Sequence, residues 1–139
     1  MSEVIDHMRK VPLFRGMRTS ALETVADRAS EITFDDGDTV TREGEPGDTF
    51  YIVTDGRLRV SKQGTKLRDL GPGDFLGEIS LVDGGPRTAT VTADGRVEAL
   101  VIRRADFLEM IEWDSAVRLG ILTALTERIR NTDPGDILD

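Results

Sequence analysis

Residues 75–91 read Phe75-Leu76-Gly77-Glu78-Ile79-Ser80-Leu81-Val82-Asp83-Gly84-Gly85-Pro86-Arg87-Thr88-Ala89-Thr90-Val91. Gly77 has no Cβ, so the backbone there can come close to a ligand. Glu78 follows at once, and Ile79, Ser80 and Leu81 offer successive main-chain N–H groups. If a short helix starts here, those donors point outward and its dipole favours negative charge. Arg87, after the Gly84-Gly85-Pro86 turn, adds a planar guanidinium suited to gripping phosphate through two parallel hydrogen bonds. Thr88 contributes a hydroxyl and another N–H. These residue types suit a phosphate, and the acceptor-only carboxylate of Glu78 suits a sugar hydroxyl. A P-loop does not fit, because the Gly-Lys-Ser/Thr signature is absent.

Outward from this stretch, residues 32–103 are short apolar runs punctuated by glycine: Phe50-Tyr51-Ile52-Val53, Leu58-Arg59-Val60, Thr88-Ala89-Thr90-Val91 and Val97 to Ile102. Asp36-Gly37, Asp55-Gly56, Pro72-Gly73-Asp74, Asp83-Gly84-Gly85 and Asp94-Gly95 fall between them and read as turns, Asp-Gly being suited to tight hairpins. About eight strands at this spacing predict an antiparallel β roll, or jelly roll, with room for a ligand. Residues 1–31 read as helical, with Thr19-Ser20 as hydroxyl caps before an apolar stripe of Leu22, Val25, Ala26 and Ala29. Residues 104–131 read as two helices broken near Trp113-Asp114-Ser115, where Asp114 or Ser115 caps the second. Val117, Ile121, Leu122, Leu125 and Ile129 are its apolar positions. Residues 132–139 are a tail. The expected fold is therefore mainly β with flanking helices: a roll, N-terminal helices, a short phosphate-binding helix and two C-terminal helices. All of it forms one domain.

The stretch closely resembles the phosphate-binding cassette of the cyclic nucleotide-binding domain family, found in kinase regulatory subunits, gated channels and bacterial transcription factors. Gly77-Glu78-Ile79-Ser80-Leu81 and Pro86-Arg87-Thr88-Ala89-Thr90-Val91 fit the pattern, with Arg87 nine residues after Glu78. Val11-Pro12-Leu13-Phe14, Glu43-Gly44-Glu45-Pro46-Gly47-Asp48 and Phe50-Tyr51-Ile52-Val53 resemble the family too. Leu76 departs from it, since many members carry an aromatic directly before the glycine. The resemblance implies that Glu78 accepts a hydrogen bond from the ribose 2′-hydroxyl and that Gly77 contacts the ribose. It implies that Arg87 pairs with the cyclic phosphate, and that the N–H groups of Ser80 and Thr88 complete the cradle; Ile79 and Ala89 belong to the same ligand-binding set. Val60, Leu70 and Leu76 would face the base or ribose, or else fill the core of the roll. Arg128 stands where channel-type members carry a lid arginine that caps the base; alternatively it is a helix-end cation that favours the macrodipole. The ligand implied is a cyclic purine mononucleotide. Threonine after the arginine often accompanies cGMP, and alanine cAMP; cAMP is favoured here and cGMP is the second candidate.

Composition narrows the rest. The chain has 139 residues, 14 of them glycine, with no cysteine and a single histidine. One histidine, His7, cannot build the metal site of a cupin-type jelly roll or a Ser–His–Asp set. Catalysis thus has no candidate, and neither a metal nor a separate cofactor is expected. Formal net charge is −8, from 18 basic and 26 acidic residues, which speaks against nucleic acid as a partner. No run of about 18 apolar residues marks a membrane span and no secretory signal is visible, so the expected setting is the cytoplasm. The expected role is a non-catalytic sensor that relays occupancy through its last helix. It would act on an unidentified effector in trans or on one fused in a longer chain, with homodimerisation through that helix a further option; the tail tilts the choice towards a stand-alone sensor. The alternatives are a β-roll interaction domain that has lost its ligand and, more remotely, a metal-dependent jelly-roll enzyme.

Overall fold

The computed structural model describes residues 2–9, 14, 17–77 and 85–131. Two helices, α1 (Ser2–Arg9) and α2 (Thr19–Arg28), precede six strands: β1 (Ala29–Phe34), β2 (Thr39–Thr41), β3 (Thr49–Lys62), β4 (Thr65–Leu70), β5 (Phe75–Leu76) and β6 (Thr90–Arg103). Helices α3 (Arg104–Trp113) and α4 (Ser115–Asn131) follow. The expected phosphate-binding helix, Val11 to Leu13 and the tail lie outside the described residues.

The strands form one antiparallel sheet in the order β1-β6-β3-β4, with β2 beside β6 and β5 beside β3. The two long strands β3 and β6 run side by side. Along its free edge β6 takes β1 and then β2; along its own, β3 takes β5 and then β4. Each long strand is really two apolar runs in series, so the six strands carry the eight runs that the sequence suggests.

That continuity corrects one sequence expectation. Asp55-Gly56 and Asp94-Gly95 are not hairpin turns; they lie inside β3 and β6, where the pairing register shifts between Val53 and Asp55 and again between Asp55 and Arg57. The physical consequence is a change of face. Val53 and Leu58 are an odd number of residues apart and would point to opposite sides of a regular strand. Both instead join the interior cluster with Val60 and Leu70, because the bulges shift the parity. Gly56 sits at φ +90° with its back against the Arg96 carbonyl, a place no Cβ can occupy. The true β3–β4 turn is Gln63-Gly64, with φ of 52° and 81°.

Two apolar clusters result. One lies between the helices and one face of the sheet, where Phe50 stacks 5.6 Å from Phe75 and 5.3 Å from Phe107. Leu22 and Val25 of α2 and Val117 of α4 close it, each at most 1% exposed. The second cluster fills the inside of the roll and includes Val53, Leu58, Val60, Leu70, Leu76 and Val91. Helix α4 is capped by Asp114, whose Oδ1 accepts from the N–H groups of Ala116 (3.0 Å) and Val117 (3.1 Å). Helix α2 differs from expectation: its N-cap is Arg18, which makes no side-chain cap. Thr19 is already helical, and its hydroxyl accepts from Arg9 instead.

Candidate functional site

At one end of the roll the loop Glu43–Asp48 is laid against residues 86–90 as a short strand-like pairing. Arg87 N–H donates to the Glu45 carbonyl (2.8 Å), Gly44 N–H donates to the Arg87 carbonyl (2.9 Å), and Pro46 faces Pro86. Glu43 N–H donates to Thr90 Oγ1 (3.1 Å), and the Thr41 hydroxyl donates to the Ala89 carbonyl (3.2 Å). These bonds fix where the Arg87 side chain goes.

Its guanidinium runs inward between two glycines. A Cβ on Gly47 would overlap Nε of Arg87, and one on Gly77 would lie 2.6 Å from its Nη1 and 2.6 Å from the Thr49 carbonyl. Gly77 also sits at φ +93°, a backbone that L side chains rarely adopt. Nη2 donates to Thr49 Oγ1 at 2.8 Å. Arg87 is 8% exposed, and among the described residues it is the one buried charged side chain. A buried cation in a chain of net charge −8 is costly unless partnered. The Thr49 hydroxyl supplies part of that partnering, and a guanidinium at this place suits an anion.

Beside Arg87 lies an open cavity of about 210 Å³, lined by Thr39, Thr41, Thr49, Tyr51 and Asp48 among others. The edge-on pair Phe34–Tyr51, 6.0 Å between ring centres, fixes one wall. Val60, Leu70 and Leu76, at 3%, 4% and 7% exposure, pack with Val91 in the interior cluster of the roll, and Ala89 packs against it. Thr88 is exposed.

The structure thus brings Gly77, Arg87, Ala89, Val60, Leu70 and Leu76 to one end and interior of one roll. Glu78, Ile79 and Ser80 lie outside the described residues; Arg128 is on α4, its side chain likewise outside them. Sequence reading passed over Gly47 and Thr49 as partners of Arg87, because the contact spans 38 residues in the case of Thr49.

The fold and site define a β-roll domain with an apolar interior and one buried arginine between two glycines at one end. More particularly, the chain belongs to the cyclic nucleotide-binding domain family, whose model matches residues 31–114. It is 30% identical over 131 residues to a CRP-like cAMP-activated global transcriptional regulator of Mycobacterium tuberculosis, covering 91% of this chain and 58% of the relative. It is 37% identical over 119 residues to a cGMP-dependent protein kinase of Drosophila melanogaster, covering 79% of this chain and 13% of the kinase. The regulatory domain of Toxoplasma gondii PKA, crystallised with cAMP, superposes with a TM-score of 0.80 at 27% identity over 94% of this chain and 50% of that one. The chain therefore spans little more than half the length of the Mycobacterium relative. Among the described residues no helix is long and apolar enough to cross a membrane, and no group of three or more His, Cys, Asp or Glu could hold a metal ion.

Proposed function

We propose that this chain binds a 3′,5′-cyclic purine mononucleotide as a non-catalytic ligand and converts occupancy into movement of its C-terminal helices. The observation that carries the reading is Arg87, 8% exposed and held between Gly47 and Gly77. A guanidinium fixed this way meets phosphate through two parallel, charge-assisted hydrogen bonds without rearranging first. In this reading the N–H groups of Ile79, Ser80 and Thr88 share the phosphate, Glu78 takes the ribose 2′-hydroxyl, and Val60, Leu70 and Leu76 receive the base. The sequence favours cAMP. The names of the relatives point both ways, to cAMP in Mycobacterium and Toxoplasma and to cGMP in Drosophila.

The relay is a population shift: ligand favours the state in which the cassette and last helix close together, and only its difference in affinity for the two states does regulatory work. Residues 32–103 are then the sensing roll, residues 104–131 the hinge and lid with Arg128 over the base, and residues 132–139 a tail. Leu119 and Leu122 of α4, 66% and 55% exposed, are available for a second copy or an effector in a cytoplasmic setting. Because the chain matches only 58% of the Mycobacterium regulator, any role in transcription would involve more than this domain. The acidic surface gives the domain itself little affinity for nucleic acid.

The test is calorimetric titration of nucleotide-free protein with cAMP and cGMP, repeated on Arg87→Ala. One-to-one binding is expected. Arg87→Ala should weaken it by roughly 10- to 100-fold, the value of a charge-assisted contact of about 1.5–3 kcal/mol. The absence of both binding heat and thermal stabilisation with either nucleotide would sink the reading.

A further inference from the structure

We propose that Lys62 and Lys66, at the tip of the β3–β4 hairpin, form an electrostatic arm that draws the anionic nucleotide to Arg87 and sets its rate of capture; this rests on the cyclic nucleotide reading above. The starting point is an imbalance of charge. The chain carries −8 overall, yet residues 55–69 hold five basic residues against two acidic ones, a local charge of +3. From Arg57 to Arg68 no acidic residue occurs. The loop that frames Arg87 is the opposite: its charged residues are Glu43, Glu45 and Asp48. Glu45 and Asp48 line the cavity beside the guanidinium. An approaching phosphate therefore meets carboxylates as well as its arginine, and repulsion there slows encounter unless a local cation offsets it.

Hydrogen bonds decide where the charge of the hairpin is felt. Its tip is held against the acidic loop: Gln63 N–H donates to Glu43 Oε1 at 2.9 Å. Glu43 N–H donates to Thr90 Oγ1 at 3.1 Å, and Gly44 N–H to the Arg87 carbonyl at 2.9 Å. Ser61 pairs with Lys66 on one side and Thr90 on the other, while Lys62 pairs with Thr65. The two lysines thus flank the tip, about two strand spacings, on the order of 10 Å, from Arg87. That is about one Debye length at 0.1 M salt. Lys62 enters no ion pair among the described residues. Lys66 meets Asp69 at 3.1 Å, with its side chain 52% exposed. Arg57 and Arg59 lie towards the other end of the hairpin, where Asp94 takes both, at 2.8 Å and 3.5 Å. Their charge is farther from Arg87 and already partnered.

Exposed charges near a site act on encounter more than on the bound complex. Lys62 and Lys66 raise the association rate, and salt screens that effect. Dissociation is left to the contacts that the bound nucleotide makes inside the roll. Cations on an edge strand can also discourage strand pairing between molecules. That role changes aggregation and leaves the rate of capture alone, so the two are separable.

The experiment is stopped-flow binding of the full chain to cAMP and to cGMP, each carrying an uncharged fluorophore on base C8, at ionic strengths from about 0.01 to about 0.5 M. At the low end Lys62→Glu/Lys66→Glu should slow association about ten-fold and Lys62→Gln/Lys66→Gln about three-fold, the scale of Coulomb attraction across about 10 Å of water. At the high end both differences should fall below about two-fold, with dissociation rates unchanged throughout. Arg57→Gln/Arg59→Gln makes the same change in net charge as the glutamine pair at the tip, and should slow association by about 1.5-fold or less. Equal slowing by the two glutamine pairs would assign the effect to net charge. A change confined to dissociation would make the lysines contact residues. Either result overturns the arm, as does an association rate that ignores salt or the lysines, and each leaves cyclic nucleotide binding standing. A wild type that binds neither nucleotide would overturn the underlying reading, and this inference with it. Melting curves show whether each variant is folded, and the glutamine pair carries the test if the glutamate pair is not.

Discussion

Two arginines show how differently the ends of this molecule use charge. Arg87 is buried at the mouth of the roll with a hydroxyl partner and two glycines cleared around it. Arg28, at the end of α2, is one-third exposed and spans two carboxylates of α3, Asp106 at 3.3 Å and Glu109 at 2.6 Å. Its guanidinium is raised above the ordinary value, chiefly by the Glu109 hydrogen bond, and Glu109 is lowered for the same reason. Water already solvates that pair, so its contribution to stability is small. In the proposed function the buried arginine meets a ligand; the exposed one ties one helix to another. A strong site for binding need not be a strong site for folding.

That contrast can be broken most forcefully at Phe107, on the helical side. Phe107→Ala removes a ring that is 1% exposed and should cost about 3–5 kcal/mol in denaturant unfolding. The affinity of the protein that remains folded should change little. Gly77→Ala is the converse. It forces a Cβ into a backbone at φ +93° and against Arg87, and should cost about 1–2 kcal/mol of stability. Here calorimetry should show ligand affinity falling as well; unchanged affinity would mean the glycine serves only the chain path. Asp114→Ala strips the cap of α4 and should cost about 1 kcal/mol, with Asp114→Asn retaining most of it.

The smallest effect should come from Arg28→Ala, seen as a slight fall in melting temperature that shrinks as salt is added. Its pH dependence has a definite sign. Glu109 has a lowered folded pKa, so the pair contributes fully above the usual carboxylate range and fades as pH falls through that lowered value. Wild type and Arg28→Ala should therefore converge in stability at acid pH. A gap that widened there would show that the pair is not what Arg28 contributes.

The same division between near and far decides what could be read without coordinates. Asp114 was legible as one of two candidate caps, beside Ser115, because a cap's job concerns the next three residues. The stripe of Leu22 and Val25 was legible because helical periodicity is local, and the cassette because its residues are nearly contiguous. Asp55-Gly56 and Asp94-Gly95 misled for a physical reason: the chemistry that favours a hairpin turn, ease of positive φ, also favours a bulge within a strand. Only pairing with the neighbouring strand distinguishes them. Gln63-Gly64 makes the real turn with a residue not usually chosen for positive φ.

By itself the sequence determined the roll with its flanking helices, the family, and Arg87 as the candidate partner of an anion, because alternation, capping and a compact motif are properties of neighbouring residues. Tertiary structure alone decided that Gly47 and Thr49 would cradle Arg87. It also decided, through the bulges in β3, that Val53 and Leu58 would face the same interior. Those positions depend on which strands lie side by side and in what register, and one residue of slip reverses every side chain.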